Sequence, residues 1–115
     1  MLEIELSLRL AIAIGWPYDG VHIRKNKVYV PWGTKSRPTR AFDYKDPEVI
    51  WEIAERYDTF PMRTVPPDIY KGKWCALMSE HKHLIRYADT AKKAVALSVI
   101  AYDEHMKRVN RHKSR

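Results

Sequence analysis

The stretch Phe42 to Pro61, FDYKDPEVIWEIAERYDTFP, constrains this chain more than any other, because a helix start, an amphipathic helix and a helix stop follow one another within it. Asp46 is placed to cap the first turn through its carboxylate, and Pro47 falls at the first helical position, where its missing N–H costs nothing. Val49, Ile50, Ile53, Ala54 and Tyr57 share one face of the helix so begun, while Glu48, Glu52, Glu55 and Arg56 lie elsewhere on it. A helix with one apolar stripe has to be covered, so the rest of the chain must supply a sheet or a second helix to pack on it.

Before this segment, residues 2–14 are ambiguous. Leu2, Ile4, Leu6, Leu8 and Leu10 alternate as in a half-buried strand, whereas Leu and Ala favour helix and Glu5 with Arg9 forms a helical i,i+4 pair. Gly15 directly after the run and Pro17 beyond it favour a helix that stops there. Val21 to Arg24 and Lys27 to Pro31 read as a hairpin turning at Lys25 and Asn26, and Pro31 to Arg40 as a surface loop. Phe42 and Tyr44 are expected in a brief extended piece.

After it, Pro61, Pro66, Pro67 and Gly72 make Thr59 to Gly72 a long connection with no helix or central strand. Trp74 to Met78 reads as a strand, with a second extended piece near Leu84 to Tyr87. Asp89 is expected to cap a helix from about Thr90 to about Lys107, buried through Ala94, Val95, Leu97, Val99, Ala101 and Tyr102. The expected fold is α+β: a small antiparallel β-sheet covered by about three α-helices, one domain over residues 1–109, with 110–115 as a basic, disordered C-terminal tail.

A chain of 115 residues can bury a modest core without metals or disulfides, and with Cys75 as its single cysteine it forms no internal disulfide. A reducing, cytoplasmic setting follows as the expectation. Glu3, Glu5 and Arg9 break the apolar N-terminal run, which reads neither as an export signal nor as a membrane span. The net charge of +7 is concentrated: Arg24 to Arg40 contains no acid, and Lys107 to Arg115 adds five more cations.

Several blocks together carry a family likeness. The N-terminal helix ending in Gly15-Trp16, the hairpin, the FDYKDPEVIWEIAERYDTFP block, the Trp74 strand and the closing Ala88-Asp89-Thr90 helix resemble small bacteriophage proteins of the NinX-like, ABA-sandwich type. The likeness runs from about Leu6 to about Ala101. It implies a small sheet covered by helices, with Trp16, Trp51, Trp74, Asp89 and Ala94 as packing and capping positions, in addition to Asp46 and Pro47 read above from their own chemistry. It supplies no catalytic set. It implies an accessory protein of the bacterial host cytoplasm that binds a host or phage protein or a protein–nucleic-acid complex, with a counter-defence role, anti-CRISPR inhibition included, as an analogy. The basic loop at Lys35 to Arg40 and the basic tail depart from the family pattern.

No P-loop, glycine-rich dinucleotide turn or serine elbow occurs. His81 and His83 form an H-x-H pair that points to one face of a strand, with Cys75 or Asp68 as conceivable further ligands. One such pair is generic, so no metal, no cofactor and no catalytic residue is assigned, and a small metal enzyme built on His81, His83 and Asp68 stands only as a third reading. Cys75 between Trp74 and Ala76 reads as a small buried hydrophobe. The binding residues singled out are Arg24, Lys25, Lys27, Tyr29, Trp32, Lys35, Arg37 and Arg40, cations interleaved with aromatics. They suit either an acidic protein surface or the phosphates of a nucleic acid. Oligomeric state is not legible in the residues.

Overall fold

A computed structural model of the chain describes residues 2–31 and 34–113. Among the described residues three α-helices, α1 (Glu3–Ala13), α2 (Pro47–Tyr57) and α3 (Ala91–Lys113), and two short 3-10 turns, Tyr18–Gly20 and Asp68–Lys71, accompany six strands: β1 (His22–Arg24), β2 (Lys27–Val30), β3 (Arg40–Ala41), β4 (Thr59–Arg63), β5 (Trp74–Met78) and β6 (His81–Ala88). The strands form two antiparallel sheets, ordered β1-β2-β3 and β4-β5-β6, where the sequence led to one. The fold is α+β as expected, with the sheet divided.

In α1 the helical period prevails over the alternation. Leu6, Leu10 and Ala11 are buried while Leu8, which an alternating strand would bury with them, is only half-buried. The helix closes where Gly15 adopts φ +111°, its N–H donating to Ile12 O and that of Trp16 to Ala11 O. The hairpin turns at Lys25 and Asn26, both at positive φ, which is the two-residue geometry that matches strand twist. β3 lies slightly earlier than expected. Phe42 leaves the ladder after donating its N–H to Val28 O at 2.8 Å, and both Phe42 and Tyr44 turn into the core.

In α2 the Asp46 carboxylate accepts from the Glu48 N–H at 3.0 Å, and Asp58 ends the helix in the left-handed region with its N–H directed to Ala54 O and Glu55 O. Trp51 does not pack as expected. It is 40% exposed, because Val49, Ile50, Ile53 and Ala54 already fill the buried side. Trp16 and Trp74 lie half-buried against the core, the latter under the Arg63 guanidinium at 5.0 Å.

Two expectations for the second half need correction. Thr59 to Arg63 is not connection but strand β4, and Pro61 fits there because β4 is an edge, where one side of the strand needs no N–H. The cap of α3 is Thr90, whose hydroxyl accepts from the Lys93 N–H at 3.2 Å; Asp89 stands beside it with its carboxylate 3.9 Å from Lys93 Nζ. The helix also continues past Lys107 to Lys113, so residues 110–113, read as the start of a disordered tail, are its last turn; residues 114–115 lie outside the described part.

The long helix α3 is the shared layer. It packs on all three strands of the second sheet and on α1 and α2, while β2 packs on α1. Leu6, Leu10, Val30, Ile50, Val95 and Val99 join α1, β2, α2 and α3 in one apolar core, to which Ala76 and Met78 of β5 and Ala88 of β6 also belong.

Candidate functional site

The first sheet buries one face and opens the other. Val28 and Val30 enter the core, so the alternate positions His22, Arg24, Lys27 and Tyr29, aligned by the pairings His22↔Tyr29 and Arg24↔Lys27, face away from it. Beside them the chain from Thr34 to Ala41 borders an open groove of about 1200 Å³, lined among others by His22, Arg24, Tyr29, Arg37, Thr39 and Arg40 and, among the described residues, by no acid. Arg24 is held in place: its guanidinium donates to Thr39 Oγ1 at 3.3 Å and lies 4.9 Å over the Tyr29 ring. Thr34 fixes the loop by accepting the Arg37 N–H at its carbonyl, 3.1 Å away, and at its hydroxyl, 3.2 Å away.

The structure therefore gathers Arg24, Tyr29, Arg37 and Arg40 from the sequence set, and adds His22. Lys25 at the hairpin tip, Lys27 and Lys35 are exposed outside the groove lining. Arg40 is not a free cation, since Glu48 pairs with it at 3.6 Å. Trp32 lies outside the described residues.

A second constellation was only half legible. His81 and His83 on β6 meet His105 on α3, with ring centroids 5.8 and 5.2 Å from that of His105 and 6.0 Å from each other. The ligating nitrogens all lie within 4.8 Å of one another. Asp68 and Cys75, the partners weighed from sequence, are used elsewhere. Asp68 pairs with Lys71 at 3.3 Å, and the Cys75 thiol is buried and directed to Met62 O at 3.7 Å.

An offset in the second sheet aims the pair. The register Trp74↔Ala88 to Ala76↔Arg86, continued, would pair Met78 with Leu84; Met78 instead pairs with His81. A three-residue shift is odd, so it reverses which face the odd-numbered residues occupy and turns His81 and His83 toward α3. The helix side was readable in principle. Ala91 to His105 rises roughly 21 Å along α3, and Ala88 back to His81 runs roughly 23 Å along β6, so a helix folding straight back over its preceding strand brings the three histidines level. Burial lowers the His105 pKa from its ordinary value, and His83, His81 and Arg108 push the same way.

The outer face of the second sheet, away from α3, is apolar. It carries Phe60, 50% exposed, Met62, 46% exposed, and the half-buried Leu77 and Tyr87. Among the described residues no helix is long and apolar enough to cross a membrane. No family model matches the chain, and no curated protein or solved structure matches it.

Proposed function

We propose that this chain acts by binding, not by catalysis, and that the outer face of the first sheet holds the phosphate backbone of a nucleic acid, free or inside a protein–nucleic-acid complex. The observation that carries this is the cationic groove: Arg24, Arg37 and His22 beside an aromatic ring, with no acid among the described residues that line it. Phosphate contacts supply affinity without sequence choice, and Tyr29 adds a ring edge against which a base or sugar packs. An accessory protein that covers the nucleic acid of a host defence complex, an anti-CRISPR-like role drawn by analogy from what small phage proteins often do, would use this same face. Phage origin and ABA-sandwich kinship rest on that resemblance alone.

The test is fluorescence anisotropy with short single- and double-stranded DNA and RNA over a salt series. Binding is expected to weaken steeply with salt, and R24A/K27A/R37A is expected to flatten the slope of log K against log salt by about two to three. An unchanged slope in the triple variant rules the face out.

A protein partner is the second reading, favoured by the apolar outer face of β4-β5-β6. Replacing Phe60 and Met62 by Ser would then abolish co-purification of that partner while leaving the salt-dependent binding unaffected.

A further inference from the structure

We propose that His81, His83 and His105 form a site for one divalent first-row transition ion of the zinc class, held by three imidazole nitrogens with its fourth position open to solvent. Imidazole is the ligand type such ions prefer, whereas magnesium and calcium take oxygen ligands. In a tetrahedral site with metal–nitrogen bonds of the usual length, ligand nitrogens stand about 3.3 Å apart. The nitrogens of the three rings lie within 4.8 Å of one another, at most about 1.5 Å beyond that spacing.

The positioning is built into the fold. His81 and His83 come from one strand face, His105 from the helix packed on it, and Tyr102, one turn before His105, braces the His81 ring at 5.2 Å. Tyr102 itself rests edge-on against Tyr57 of α2 at 6.0 Å, so one ligand is supported from a third element. An open groove of about 420 Å³, bordered by His81, Tyr102, Glu80 and Asp58, adjoins the cluster and gives a fourth ligand, water or a small anion, room to enter. Loading the site would tie the β5–β6 hairpin to the far half of α3.

Tag-free protein, stripped with chelator, is titrated calorimetrically with Zn²⁺ and followed by visible absorption with Co²⁺. One equivalent per chain is expected, with the intense absorption of four-coordinate cobalt. H83A and H105A are each expected to weaken binding by about 100-fold, with far-ultraviolet circular dichroism unchanged. His83 is exposed, so H83A separates loss of a ligand from loss of the fold. Affinity no tighter than millimolar overturns the site. So does wild-type affinity in H105A, which would reduce it to an H-x-H pair on a strand.

Discussion

At the scale of single residues, the contact between α3 and the second sheet contains a hydroxyl pair inside apolar packing. Thr59 Oγ1 and Ser98 Oγ lie 3.0 Å apart, with the residues 2% and 0% exposed, among Ala94, Val95 and Val99. Neither hydroxyl reaches water, so removing one strands the other, a cost of about 1–3 kcal/mol, while removing both leaves no orphan. T59V and S98A alone should therefore each lower urea-unfolding stability by about 1–2 kcal/mol. The double variant should lose clearly less than the sum, since the two sites are coupled through one bond. Additive losses in that cycle would mean that each hydroxyl has another partner. The same stripe of α3 continues through Tyr102 to His105, four and seven residues beyond Ser98, so one helix face serves first for packing and then for ligands.

At the scale of elements, the connection from β4 to β5 depends on backbone approach. Gly72 adopts φ +154°, and a Cβ there would stand 2.8 Å from both N and O of Ala88 on β6. Those atoms belong to backbone and cannot move aside, so G72A should cost about 3 kcal/mol, from the unfavourable φ and the clash together. A midpoint shift in denaturant with unchanged m would register it; a near-neutral result would place the β4–β5 connection further from β6. Elements with a chemical start or stop were legible in the sequence: Asp46-Pro47 for α2, Lys25-Asn26 for the hairpin, Gly15 for the end of α1. Where side-chain chemistry alone was weighed, the reading failed. Pro61 excluded a central strand, but Thr59 to Arg63 was still read as connection, because an edge position is a property of the sheet and not of the residue. Thr90 and Asp89 are both good caps, and only the helix register chose between them. Of the candidate sites, the cation run was visible as composition, but Arg40's pairing with Glu48 was not, and His105 was missed because it joins the pair only once the lengths of β6 and α3 are compared with the helix laid back over the strand.

At the scale of the molecule, the two sheets are attached unequally. The second is covered along all its strands by α3, which also carries α1 and α2, so its hydrogen bonds open only when the central core does. The first reaches that core through Val28 and Val30 of β2 and through α1, while β1 is exposed along its length and β3 is two residues long. Few buried apolar groups secure it, and free energies of local opening follow such burial. Native-state amide exchange should then show β5, β6 and the middle of α3 exchanging only at the global unfolding free energy, with β1 and β3 exchanging through a lower-energy opening. Equal protection in both sheets would contradict this and make the chain one cooperative unit. The difference bears on the binding face, because a cationic sheet that opens independently of α3 can adjust its loop to an anionic partner without loosening the layer that brings His81, His83 and His105 together. Ligands at the two places would thus act on separate parts of the protein. Zinc should slow exchange in β6 and α3 and leave β1 and β2 unaffected, whereas a bound nucleic acid should protect β1, β2 and the loop before β3 and leave β6 as it was.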